Sequence, residues 1–134
     1  MHIFPRRGEI WWISLDPTIG SEIKKKRPCL VLSRDSYNKY ASTITIIPIT
    51  SGKSRYPAWE VDLLATKGLK ADSHVVLPQI RVAAKERLLD GKAIGCVSSA
   101  QLEEIEEKLL FYLSMDGFLK GNAVTFVSGT TYDS

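Results

Sequence analysis

The sequence predicts a small α+β domain, a mostly antiparallel β-barrel or strongly curled sheet with one amphipathic helix packed on it. Three observations carry that prediction. Short apolar, β-branched segments recur from Ile10 to Val97 with turn residues between them. Sustained helical periodicity is confined to one stretch that begins at Ser98. No crossover helices separate the strands, which argues against a doubly wound parallel sheet.

Ile10-Trp11-Trp12-Ile13-Ser14-Leu15 is rich in β-branched and aromatic residues and forms a first strand, ended by Asp16-Pro17-Thr18. A polar loop, Ile19 to Lys26, has Gly20 as its flexible point. Pro28 to Ser33 is a second strand, with its proline at the start, where a missing N–H is tolerated. Arg34 to Ser42 is a loop or a short helical turn. Thr43 to Ile47 alternates and then becomes continuously apolar, which predicts burial on both faces; Pro48 marks a bend or an edge before Ile49-Thr50. Ser51-Gly52-Lys53-Ser54 is a turn. Trp59-Glu60-Val61-Asp62-Leu63 alternates as a half-exposed strand. After a polar connection around Gly68, a strand from Val75 is expected to run through Pro78 to Val82. Ala83 to Leu88 has the propensity for one or two helical turns, and Ala93 to Val97 is a last short strand.

The helix has a defined start. Ser98 and Gln101 have the spacing of a capping box, and Val97 with Leu102 that of a hydrophobic staple. Leu102, Ile105, Leu109 and Tyr112/Leu113 recur as one apolar stripe. Gly117 is the expected stop. The domain is placed at 1–116, with 117–134 as a tail of unassigned role. That tail has weak strand character at Ala123 to Val127 and a disordered-looking end.

The chain has 134 residues, enough for one hydrophobic core and too few for two. No apolar run approaches the ~18 residues that span a bilayer, so no membrane association is expected. Met1 to Arg7 has no following apolar h-region, and the expected location is the cytoplasm. Cys29 and Cys96 lie in apolar segments and read as small buried hydrophobes with reduced thiols. The net charge is +3, but Ser98 to Leu113 carries −3, so the remaining residues carry +6. A basic body suggests a polyanionic partner, although a solvated Lys/Arg surface is the commoner cause.

Several chemistries are excluded. With only His2 and His74, a two-histidine nuclease has no support; no P-loop is present, and scattered carboxylates give no two-metal cluster. No metal and no cofactor is expected. The densest positive feature is Lys24-Lys25-Lys26-Arg27, which runs from a loop into a strand. Such a run is ordinarily a solvated loop. Arg27, however, enters fixed backbone, from which its fork can address a phosphate, while the lysines add non-specific attraction. Glu22 has a surface ion pair with a lysine as its ordinary role. Thr50 ends the third strand, and Gln79 and Arg81 share a face that is solvent-exposed by default. Trp11, Trp12 and Trp59 read as core or dimer-contact aromatics, with base stacking as the lesser alternative.

Arg7-Gly8-Glu9-Ile10-Trp11, Leu15-Asp16-Pro17-Thr18, Gly20-Ser21-Glu22, Arg27-Pro28-Cys29-Leu30-Val31, Ile47-Pro48-Ile49-Thr50, Asp72-Ser73 and Gln79-Ile80-Arg81 occur in this order. Together with the closing helix they resemble the MazF/PemK family of toxin–antitoxin toxins, over roughly Arg7 to Leu113. The resemblance implies an SH3-like barrel with a C-terminal helix. It also implies a homodimer that cuts single-stranded RNA without metal, by 2′-hydroxyl attack, and that is neutralised by a cognate antitoxin. One branch of the family uses the arginine of the Arg-Pro motif and a threonine ending the third strand, here Arg27 and Thr50. Another uses a histidine, an arginine and an aspartate at positions that here hold Ser21, Val76 and Pro78, so its chemistry does not carry over. Glu22 is a weaker candidate for assisting proton transfer or orienting Arg27. Lys24, Lys25, Lys26, Ser51, Gln79 and Arg81 are the candidate RNA contacts. Lys24-Lys25 depart from the small residues of many relatives. The competing expectations are a non-catalytic poison of a protein such as gyrase on the same fold, and a basic RNA-binding module without catalysis.

Overall fold

The computed structural model describes residues 4–64 and 66–117. The expected strand at 123–127 and the rest of the tail lie outside the described residues. In chain order the elements are β1 (Glu9–Ser14), β2 (Lys26–Val31), α1 (Asp35–Tyr40), β3 (Thr43–Ser51), β4 (Glu60–Leu63), β5 (Ser73–Val76), β6 (Arg81–Ala84), β7 (Gly95–Cys96) and α2 (Ser99–Tyr112). Every ladder is antiparallel. The order across the sheet is β4-β5-β3-β2-β1-β7, with β6 also on β3. The predicted curled α+β architecture is what the chain adopts.

β3 organises the sheet. One of its edges pairs with β2 at Ile46–Pro48. The other pairs with β6 over Thr43–Ile46 and then with β5 over Ile49–Ser51. The change of partner falls at Ile47-Pro48. Pro48 has no N–H to leave unpaired there, so the strand can switch sheets at little cost.

The doubly buried character read from the sequence is present, since Ile46 and Ile47 are consecutive and both fully buried. Their side chains enter different clusters on the two faces of the sheet, so the single core expected from the chain length is divided in two by β3. Ile10, Leu30, Ile47 and Ile49 pack with Val61, Val75, Leu77 and Ile105 of α2. Trp11, Ile13, Cys29, Val31, Ile44 and Ile46 form a second cluster. Period-2 alternation sorts them.

At the start of α2, Ser98 Oγ accepts from Gln101 N at 3.1 Å and Gln101 Oε1 accepts from Ser98 N at 2.8 Å. Val97 and Leu102 join the same cluster. The helix stops earlier than Gly117. Leu113 is its C-cap and Ser114 takes φ 60°. Ser114 N then donates to Phe111 O and Met115 N to Leu110 O, a Schellman closure without glycine.

Three other expectations are corrected. No strand runs through Pro78: residues 77–79 form a 3-10 turn, closed by Ile80 N donating to Leu77 O, and this redirects the chain from β5 to β6. Ala83 and Ala84 are strand residues paired with Ile44 and Thr43, because burying Ala83 against β3 outweighs helix propensity. Only Lys85–Arg87 makes a 3-10 turn. In β4 the alternation fails at its start, where Glu60 is buried. Trp59 is 39% exposed and stacks on Phe111, with centroids 6.0 Å apart.

Two glycines are required by close backbone approach. A Cβ on Gly68, which has φ +96°, would overlap Ile94 O, and a Cβ on Gly95 would overlap Lys67 O. Gly68→Ala and Gly95→Ala are each expected to lose about 3 kcal/mol, the upper end of overpacking costs, in denaturant unfolding. Gly91→Ala, which points into open space, is expected to lose about 1 kcal/mol, from its positive φ alone.

Candidate functional site

The predicted residues gather where β2 and β3 meet the 15–26 loop. β2 begins at Lys26, so Lys26 and Arg27 both sit on fixed backbone. The β1–β2 register pairs Ser14 with Lys26, Ile13 with Arg27 and Trp12 with Pro28. The β2–β3 register pairs Cys29 with Pro48, and continuing it by two residues sets Arg27 level with Thr50. Thr50 pairs with His74, and His74 with Asp62. Arg27, Thr50, His74 and Asp62 therefore form one polar row across four strands, on the face that carries Cys29.

Arg81 joins this row. It stands opposite Ile46, a neighbour of Cys29 in the second cluster, and its Nη1 donates to Leu15 O at 3.3 Å. Arg27 Nε donates to Lys24 O at 3.3 Å. Both guanidinium charges reach the same sulfur. Burial pushes the Cys29 thiol up to about 12, and Arg81, then Arg27, pull it partly back. Two cations thus flank the buried Cys29 next to a strand-end hydroxyl. The buried thiol stays protonated at ordinary pH and is no nucleophile.

The other face of the same strand ends holds a groove of about 290 Å³. Trp12, Pro28 and Ile49 give it apolar walls, Lys26, Arg27 and Lys70 bring charge, and Ser51 brings a hydroxyl, while Ser73 Oγ donates to Ala71 O at 3.0 Å. Residues 68–71 form the far side, positioned by the Gly68–Gly95 approach.

Other predicted residues shape the loop. Gln79 Oε1 accepts from Ile23 N at 3.2 Å, and Asp16 Oδ1 accepts from Lys25 N at 3.0 Å. Lys25 has φ 69°, a conformation that favours glycine. Arg87 donates to Ser14 O and Asp16 O. Glu22 Oε1 accepts from Ile19 N at 2.7 Å, so the carboxylate closes its own exposed turn. The structure therefore brings Arg27, Thr50 and Arg81 together on one face and Lys26 and Ser51 on the other. Gln79 supports the loop. Lys24, Lys25 and Glu22 stay on its exposed outside.

Trp12, Lys70 and His74 are features the sequence left unassigned to the site. His74 Nδ1 lies 2.8 Å from Gly52 O, which fixes the proton on Nδ1, and Nε2 lies 3.9 Å from Glu60 Oε1. Glu60 Oε1 also accepts from Arg55 N and Tyr56 N at 2.8 and 3.2 Å. This buried pair fastens the 52–59 turn that leaves Thr50-Ser51. The sequence alternation placed Glu60 on the exposed face and carried no signal of this burial. Among the described residues, no group of three or more His, Cys, Asp or Glu side chains is arranged to hold a metal ion. No helix among them is long and apolar enough to cross a membrane.

The fold and this strand-end site define a class first: a curled antiparallel half-barrel that carries a cluster of cations at one end. The comparisons then give the family. The model of the PemK-like, MazF-like toxins of type II toxin–antitoxin systems matches residues 6–113, and the chain belongs to that family. It is similar to "Endoribonuclease MazF9" of Mycobacterium tuberculosis (strain ATCC 25618 / H37Rv), at 41% identity over 116 residues, covering 82% of this chain and 97% of that one. It also resembles a crystal structure of MazF from Deinococcus radiodurans, with TM-score 0.74, 29% identity and coverage of 84% and 99%. A MazE–MazF structure from the same organism matches with TM-score 0.66 and 26% identity over 84% and 99%.

The two cysteines differ, contrary to the expectation that both are buried. Cys29 is fully buried, whereas Cys96 is exposed, because β7 is a two-residue edge strand. A maleimide is expected to label one thiol per folded chain and two after unfolding. Burial raises the folded-state value of Cys29 above that of the unfolded chain. Its stabilising contribution is therefore present below pH 9 and is lost as pH rises toward about 12. The unfolding free energy measured by denaturation between these pH values should fall more steeply for the native chain than for Cys29→Ala, by about 1.4 kcal/mol per pH unit at most.

Proposed function

We propose that the protein is the toxin of a toxin–antitoxin pair, a metal-independent endoribonuclease that cuts single-stranded mRNA. The observation that carries this reading is the alignment of Arg27 with Thr50, with Arg81 beside them, in a family whose relatives are named endoribonucleases. The ribose 2′-oxygen attacks the adjacent phosphorus while the bond to the 5′-oxygen breaks. A 2′,3′-cyclic phosphate and a 5′-hydroxyl remain, and the 2′-hydroxyl proton passes to the departing oxygen. Negative charge grows on the phosphoryl oxygens, where a preorganised cation is usually the largest catalytic contribution.

Arg27 supplies that cation and Thr50 donates a hydrogen bond. Arginine is a poor base at neutral pH, so Arg27 stabilises charge rather than moving the proton. Lys24, Lys25 and Lys26 attract the backbone, and Ser51, Gln79 and Arg81 line or support the path. Glu22 enters proton transfer only if RNA draws the loop inward from its Ile19 turn. The active form is a homodimer in the cytoplasm, where mRNA is translated. A cognate antitoxin silences it by covering the basic strand ends, and the Deinococcus MazE–MazF complex supports that partner.

Purified protein is expected to cut a long RNA in EDTA and leave 5′-hydroxyl ends, read by end-mapping. A requirement for divalent metal would overturn the mechanism. Arg27→Ala should lower kcat by about 10²–10³ and Thr50→Val by a smaller factor, with melting unchanged. Full activity in Arg27→Ala would remove that residue from the site.

A further inference from the structure

We infer that the groove on the Trp12 face is a nucleobase subsite, in which Trp12 stacks one base of the RNA strand next to the cut phosphate. The inference rests on the RNA-cleaving reading. Trp12 is half-buried and shares its face with Ile10 and Pro28. The Ile10 end of that face is sealed by the core under α2, while Trp12 lines open space at the other end. At about 290 Å³ the groove lies at the small end of ligand sites, a size for one nucleotide rather than for an element of a folded partner.

Its chemistry has the two parts that single-stranded nucleic acid needs, a flat aromatic wall and flanking cations. Trp12 with Ile49 and Pro28 supplies the first, and Lys26 with Lys70 the second. The exposed Ser51 carries a hydroxyl that can donate to or accept from a base edge, so the site discriminates as well as holds; the Ser73 hydroxyl is spent on Ala71 O. The placement relative to the cutting residues follows from alternation. Alternation turns Lys26 and Ser51 toward the groove and Thr50 away from it, while Arg27, between Lys26 and Pro28, borders the groove from its edge. An RNA strand that crosses this strand end puts its phosphate at Arg27 and Thr50 and an adjoining base against Trp12. The charge of Lys26 and Lys70 favours a polyanionic strand over an apolar side chain as the occupant.

The test uses the full chain and an oligonucleotide taken from the mapped cut site, with 2′-deoxyribose at the scissile nucleotide to prevent cleavage. Kd is measured by fluorescence anisotropy for the native protein, Trp12→Ala, Trp12→Phe and Lys70→Ala, with an abasic residue moved along the oligonucleotide. Trp12→Ala should weaken binding about tenfold and Trp12→Phe much less, since a stacking face remains. At one position only, the abasic residue should cost the native protein about tenfold and cost Trp12→Ala nothing further. Lys70→Ala should lower the slope of log Kd against log salt by about one. Equal abasic penalties in native protein and Trp12→Ala at every position would overturn the subsite and leave cleavage at Arg27 standing. Native protein that neither binds nor cuts RNA would overturn the RNA reading itself. If Trp12→Ala does not fold, Trp12→Leu takes its place: an abasic penalty that vanishes at one position only decides for the subsite, and a penalty equal to the native protein's at every position decides against it.

Discussion

The pairing of β3 with three other strands is the constraint on which the rest of the molecule depends. A strand that gives both edges and both faces to the interior must be continuously apolar, and Thr43–Ser51 is so from Ile46 to Ile49. Ile46 and Ile47 point into different cores, so losing β3 would open both at once. The switch from β6 to β5 at Pro48 curls the sheet, and the curl sets the end of β2 beside the turn at 68–71. The site is thus a by-product of how one strand changes partners.

Around this frame the loops are held by side chains that reach backbone. Glu60 and His74 secure the 52–59 turn, Asp62 accepts from Ser54 N, and Gln79 and Asp16 secure the 15–26 loop. Each such bond contributes only about 1 kcal/mol to stability. Their larger effect is to hold the strand ends that carry Arg27 and Thr50, the residues to which we assign the cleavage, in one arrangement, and a preformed site lowers the ordering cost of binding.

Much of this was legible in the sequence, and the reasons differ by element. The run at Ile46-Ile47 and the Ser98–Gln101 box announce themselves because burial period and capping are local rules. Pro78 was also visible, but whether a proline bends a strand or ends it depends on where the next strand must go. Glu60 escaped because its partners, His74 and the amides of Arg55 and Tyr56, meet only in the folded chain. Cys96 escaped because an edge strand of two residues looks apolar in sequence and is still open to solvent. For the site, the Lys26-Arg27 run and Thr50 were readable as chemistry. That they divide between two faces was not, since this takes the register of β2 against both neighbours.

That division has an evolutionary reading. Substitutions at Trp12, Lys26 or Ser51 change the groove and leave the direction of Arg27 and Thr50 untouched. Under the proposed function, recognition can therefore change while Arg27 and Thr50 keep their place. A one-residue insertion within β2 would do the opposite, exchanging the faces to which Lys26 and Arg27 belong. Diversification of such a toxin is open to point mutation and closed to small insertions along this strand, whereas the 15–26 loop, free of the register, can vary in length.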